Sequence, residues 1–343
     1  FTPGLWLGPF TVHPRSHLAT AHPDWLLRTS RGRPVSAGLF AGGFVAQALD
    51  TTHPAVEEYL REIIGAAVRE WGYEYLKLDF LYAAALPGVR YNPHVTRAQA
   101  YRHALQLIRE TAGEETFLVG CGAPLGPSIG LVDAMRIGPD TAPTWEPVLA
   151  GVRRPFRNED SLPALRNSLR NGMTRAWMHG RWWINDPDAL MLRESQTELT
   201  ADEIRSQLTL LGLSGGLFGL SDDLPQLTRE QIAAAALLYP PLLEGMDVLD
   251  LFRRQMPTEV VAPVARPWGH WQLVGLFNWG ETPAVALLPP HLPGFDSRRR
   301  YHVVDFWNRR YQGLEAGAPL PEFELAPHGC ILLGVRPVTA APQ

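Results

Sequence analysis

Apolar positions along the first three-quarters of the chain switch between two spacings. Val56, Tyr59, Leu60, Ile63, Ile64, Ala67, Val68 and Trp71 recur at threes and fours, which predicts a helix over 55–71 with Gly72 as its stop. Short apolar runs predict strands at Gly4–Phe10, Tyr75–Leu81, Phe117–Gly120, Ala134–Gly138, Trp182–Asn185 and Leu217–Leu220. Thr96 with Gln99, Thr200 with Glu203 and Thr228 with Gln231 have the spacing of a capping box, so each opens a helix. Ser161 and Pro163 open another that runs toward His179. Strands separated in this way by helices predict a parallel sheet with right-handed crossovers.

An open doubly wound sheet and a closed barrel both fit that alternation, and the polar residues decide between them. Nearly every strand ends in an ionisable or small polar group: Asp79, Cys121, Arg136 with Asp140, Asn185 with Asp186 and Asp188, Ser221 with Asp222 and Asp223. Chemistry drawn from many strand ends is the habit of the (β/α)8 TIM barrel, and no Gly-rich turn follows the first strand as a dinucleotide fold would need. A barrel domain over 1–254 is expected. Beyond it, Trp271–Asn278, Ala284–Leu288, Tyr301–Trp307 and Cys330–Val335 are short strands parted by Pro and Gly, which predicts an antiparallel, sandwich-like β domain over 255–343.

Composition narrows the function classes. The 343 residues are 45% hydrophobic and 19% charged, a globular balance, and the net charge of −4 gives no reason to expect nucleic acid or an anionic membrane as partner. Two cysteines make no disulfide framework, and no apolar run approaches the length of a membrane span. His13 and His17 are spaced as metal ligands on a helix would be, but Pro14 lies between them, so neither metal nor cofactor is expected. The cytoplasm is the expected compartment, and self-association is left open. Residue 1 is Phe, from which the sequence is expected to be incomplete at its N-terminus.

Lys77 is the only lysine; the other 30 of the 31 basic residues (31 − 1) are arginine. A compact ammonium kept where arginine is otherwise the rule points to a tight site. Strand alternation puts Lys77 and Asp79 on one side, where the cation favours the ionised acid that a carboxylate nucleophile requires. A buried structural ion pair is the other reading of the same spacing. Arg136 ends its strand, and the Gly138–Pro139 step lifts Asp140 into the loop above. Shaded there by Trp145, its carboxyl can serve as a general acid. Two acids on different strands suit glycoside chemistry.

Seven segments then stand in order: PGLWLGPF at 3–10, HPDW at 22–25, LDTTHP at 49–54, KLDF at 77–80, GCGAPL at 120–125, MRIGPDTAP at 135–143 and WINDPD at 183–188. Together they resemble the α-galactosidases of glycoside hydrolase family 36, in clan D, from residue 1 to about 225. The resemblance implies a retaining exo-acting α-galactosidase that hydrolyses terminal α-D-galactosyl residues of melibiose- and raffinose-type oligosaccharides. It places the nucleophile at Asp79 and the general acid/base at Asp140. Lys77 and Arg136 would hold sugar hydroxyls, while Trp6 and Cys121 would line the pocket. Family members also carry an N-terminal β-sandwich and a first barrel strand ending in an Asp-Asp pair that binds galactose. This sequence opens at what resembles the second strand, so it is expected to be a fragment of a longer enzyme. The alternatives are a clan relative (an α-N-acetylgalactosaminidase or a raffinose-synthase-like galactosyltransferase) and a catalytically silent sugar-binding remnant.

Overall fold

The computed structural model describes residues 1–40, 43–149, 151–153, 155 and 159–338. The expected C-terminal domain therefore ends, at 339–343, outside the described residues. The chain divides into two compact units, Phe1–Arg136 and Ile137–Gln343.

In the first unit the elements run β1 (Gly4–Leu7), β2 (Thr11–Val12), α1 (His17–Ala21), β3 (Ser36–Phe40), β4 (Phe44–Ala48), α2 (Pro54–Gly65), β5 (Tyr75–Leu78), α3 (Arg97–Ala112), β6 (Phe117–Gly120), α4 (Leu125–Ser128) and β7 (Ala134–Arg136). Strands β1, β5, β6 and β7 pair in that order, all parallel. Strands β2, β4 and β3 form a separate antiparallel sheet. Helix α2 starts where His53 Nδ1 accepts from Ala55 N and Pro54 takes the first turn. It buries Val56, Leu60 and Ile64, passes through one wider turn at Ala66–Glu70 and stops at Gly72, whose φ is +72°. Helix α3 opens on the Thr96–Gln99 capping box and closes at Gly113. Thr96→Ala is expected to cost about 1 kcal/mol of stability, read as a lower denaturation midpoint at unchanged slope.

Strand β5 shows why the sheet forms and what it presents. Leu76 and Leu78 are fully buried on one face, each worth roughly 1.5–3 kcal/mol of burial, while Tyr75 and Lys77 are half-buried on the other. Between β6 and β7, Arg109 donates to the carbonyls of Leu131 and Thr116 and to Asp133, whose carboxylate also accepts from Leu118 N. The buried guanidinium thus closes backbone carbonyls that no strand pairs.

The second unit contains α5 (Leu165–Thr174), β8 (Ile184–Asp186), β9 (Ala189–Leu190), α6 (Ala201–Ser214), β10 (Gly219–Leu220) and α7 (Arg229–Ala236). It continues with β11 (Asp247–Val248), β12 (Glu259–Arg266), β13 (Gly269–Phe277), β14 (Ala284–Leu287), β15 (Tyr301–Asp305), β16 (Arg310–Leu314), β17 (Glu322–Leu325) and β18 (Cys330–Pro337). Strands β9 and β10 pair in parallel. The last eight make the expected antiparallel assembly: a six-stranded sheet in the order β11-β12-β13-β18-β15-β16 and a two-stranded β14-β17. Both helices α6 and α7 open on capping boxes as their spacing predicts. Helix α5 does not open at Ser161: it begins at Leu165, with Ala164 as an N-cap that makes no side-chain bond. Ser161 Oγ donates to Glu159 instead, and Asn167 Nδ2 bonds the carbonyls of Glu159 and Leu162, so a polar turn occupies the expected first turn. Among the described residues no helix is long and apolar enough to cross a membrane.

Candidate active site

Parallel pairing sets Trp6 of β1 beside Lys77 of β5, and Lys77 beside Val119 of β6. One residue beyond β5, Asp79 N donates to Leu7 O at 2.7 Å, so the strand pairing carries Asp79 to the sheet's C-terminal end. Its carboxylate is bonded at both oxygens. Trp6 Nε1 donates to Oδ2 at 3.0 Å, and Phe80 N donates to Oδ1 at 2.7 Å. The second bond requires a sharp turn. Phe80 adopts φ 53°, left-handed, a conformation that costs a bulky residue roughly 1–2 kcal/mol. Strain of that kind at a strand end marks a site where geometry outweighs local comfort.

The loop after β6 closes over the same carboxylate. Gly122, at φ +54°, leaves room where a Cβ would lie 3.4 Å from Phe80 N and 3.5 Å from Asp79 Oδ1. Leu81 N and Tyr82 N donate to the carbonyls of Cys121 and Gly122. The buried Cys121 thiol is pushed up to about 12, chiefly by desolvation and next by the charge of Asp79, to which it is hydrogen-bonded; Arg136 and Lys77 pull it the other way. Cys121 therefore stays a neutral thiol, and a thiol beside a carboxylate is a donor. Five of the six residues singled out in the sequence (Trp6, Lys77, Asp79, Cys121 and Arg136) lie in the first unit. Cys121 is within electrostatic reach of Asp79, Lys77 and Arg136. Arg136 is buried and Lys77 half-buried, while Trp6 keeps 53% of its surface open.

Asp140 lies in the second unit, on the exposed loop after Ile137–Pro139. Its backbone carbonyl accepts from Ala164 N, and the next residue is fixed by Thr141 N donating to Asp188 Oδ2 at 2.6 Å. Asp188 N in turn donates to Asp186 Oδ1. The aspartates of the WINDPD segment thus frame the loop that carries Asp140. Trp145, expected to shade Asp140, is buried and stacks on His328, with centroids 4.1 Å apart, and on Trp279. Asp222, one of the strand-end acids, accepts from Leu192 N at 2.6 Å and is structural. Among the described residues no group of three His, Cys, Asp or Glu side chains could hold a metal ion.

Periodicity did not nominate Phe80, Gly122 or Tyr82, which complete the surroundings of Asp79. Phe80 and Gly122 do stand in the KLDF and GCGAPL segments, and the glycine also carries the signal of a left-handed turn.

Comparison with known proteins finds similarity to sugar-cleaving enzymes. Residues 1–111 match the protein family described as Melibiase. An α-galactosidase from Thermus thermophilus, in complex with p-nitrophenyl α-D-galactopyranoside, is 37% identical with a TM-score of 0.63, over 75% of this chain and 49% of that one. The same enzyme in complex with stachyose matches at 37% identity and a TM-score of 0.61, over 69% and 49%. The chain thus spans about half the length of these relatives. At 17% identity and a TM-score of 0.58, α-galactosidase I from Mortierella vinacea shares the fold over 88% of this chain and 75% of its own. The fold is that of the α/β TIM-barrel α-galactosidases with a C-terminal antiparallel β-sheet, and its first 111 residues carry the Melibiase signature.

Proposed function

We propose that the chain carries the catalytic residues of a retaining α-galactosidase of glycoside hydrolase family 36. The observation that carries this reading is the carboxylate of Asp79, bonded at both oxygens and set among Lys77, Arg136 and Cys121. The 37% identity to an enzyme solved in complex with an α-galactoside and with stachyose supports the same substrate class.

In this mechanism an Asp79 oxygen attacks the anomeric carbon. The glycosidic bond breaks, and its electron pair leaves with the departing oxygen, which takes the proton of Asp140. The product of this step is a galactosyl ester of Asp79. A water then gives a proton to the Asp140 carboxylate and attacks the same carbon, which frees Asp79 as a carboxylate. Two inversions leave the configuration unchanged. Lys77 and Arg136 hold sugar hydroxyls, and the open face of Trp6 walls the ring.

Proton NMR of a fresh reaction with p-nitrophenyl α-D-galactopyranoside tests the reading. α-Galactose is expected first, with the β anomer rising only by mutarotation. First-formed β-galactose would exclude double displacement. Galactosyl transfer to an added sugar in preference to water would mark the transferase alternative. Saturable galactose binding without any turnover would mark a sugar-binding remnant.

A further inference from the structure

Tyr82 lies three residues beyond Asp79 and is half-buried. Its hydroxyl donates to Ala37 O, 45 residues away on β3. Strand β3 is distorted where it receives that bond. The register slips between Ser36 and Gly38, Ser36 Oγ accepts from Gly38 N, and Gly38 has φ +104°. A Cβ on Gly38 would lie 3.4 Å from the Tyr82 hydroxyl, so the bulge opens space where the phenol docks. Bulges re-aim a strand and are frequent beside active sites.

On its other side Tyr82 belongs to a file of aromatic rings. Tyr82 meets Phe80 edge to face at 6.5 Å and 88°, and Phe80 meets Trp6 at 5.9 Å and 87°. Both are favoured geometries. The file ends at the indole N–H that holds Asp79 Oδ2, and Phe80 supplies the backbone N–H that holds Oδ1. Tyr82 N also ties this turn to Gly122 O. Tyr82 thus touches the β3–β4 hairpin at one end and, through the aromatic file, reaches the residues that donate both bonds to Asp79 at the other.

We propose that Tyr82 is a positioning residue for Asp79: it fastens the β3–β4 hairpin to the turn at Phe80 and, through Phe80 and Trp6, fixes the carboxylate in its attacking orientation. The inference rests on the assignment of Asp79 as nucleophile. Burial, and next the charge of Asp79, raise the phenol above its ordinary value, so the hydroxyl stays protonated and able to donate.

Tyr82→Phe keeps the ring contact with Phe80 and deletes the donor. In the full chain, with p-nitrophenyl α-D-galactopyranoside, kcat is expected to fall about tenfold while KM stays within about twofold, because misorientation costs rate more than ground-state binding. Hydrogen exchange read on peptides covering 36–48 and 79–82 is expected to speed up in both. Faster exchange at 36–48 with kcat unchanged would make Tyr82 a structural tether only and overturn the proposal. Unchanged exchange in both peptides would overturn it as well. If the unsubstituted chain shows no turnover, the proposed function fails for this chain, and that outcome is recognisable because it precedes any substitution.

Discussion

Asp79→Gly is expected to lower kcat for p-nitrophenyl α-D-galactopyranoside by at least about 10,000-fold, since removing a covalent nucleophile removes the step that all turnover passes through. The cavity left by the carboxylate opens a path to the anomeric carbon from the face Asp79 occupies. Azide entering there displaces nitrophenolate in one step, so added azide is expected to restore product release and yield β-galactosyl azide, of inverted configuration. Trp6 Nε1 and Phe80 N, left without their acceptor, offer donors to the entering anion. Hydrolysis within tenfold of the unsubstituted rate, with no azide adduct, would remove Asp79 from the chemistry.

The second large effect is expected at Asp140. In the proposed mechanism, Asp140→Ala leaves attack by Asp79 intact but removes proton delivery. Melibiose and raffinose, whose departing sugars need that proton, are expected to lose about 100- to 10,000-fold in kcat/KM. Nitrophenolate departs without help, so formation of the galactosyl ester from the nitrophenyl substrate is expected to suffer much less. The ester then accumulates, because no base activates water. Azide, which needs no base, is expected to accelerate turnover and give α-galactosyl azide, of retained configuration. The two variants therefore yield opposite anomers of the same adduct, a result that no general loss of folding imitates. An equal loss on both substrate types, or azide adducts of the same anomer from the two variants, would separate Asp140 from the role given to it.

Much of this architecture is legible where the information is local. Thr96, Thr200 and Thr228 each meet a partner three residues on, and each forms the reciprocal cap that such spacing allows. The Phe117–Gly120 run is a strand with the expected bounds, because Thr116 and Gly120 bracket an apolar stretch too short for a helix. Legibility ends where a distant group decides. Strands β3 and β4 are rich in Ala and Gly, and their alternation is broken by the bulge at Gly38, beside which the Tyr82 hydroxyl lies. Pro263 argues against a strand, yet it lies within β12. There β11 covers only Val260 and Val261, which leaves one edge of the strand open at the proline. At the site, Lys77 and Asp79 could be placed on one face from a period of two. That the indole of Trp6 would bond Asp79 depends on the β1–β5 register, which no local pattern contains. Trp145 reads as a shield from its closeness in sequence to an acid, but that its ring also stacks on His328, 183 positions away (328 − 145), no local pattern contains.

The single lysine has a practical consequence. With arginine at every other cationic position, the chain offers acylating reagents one ε-amine besides its α-amine. Lys77 is half-buried, next to Trp6 in the sheet and within electrostatic reach of the Cys121 thiol that bonds Asp79. Within residues 1–343 the one side-chain amine that an activated ester would tag therefore lies beside Trp6, and protection of it by an added sugar would report occupancy with no need for catalysis.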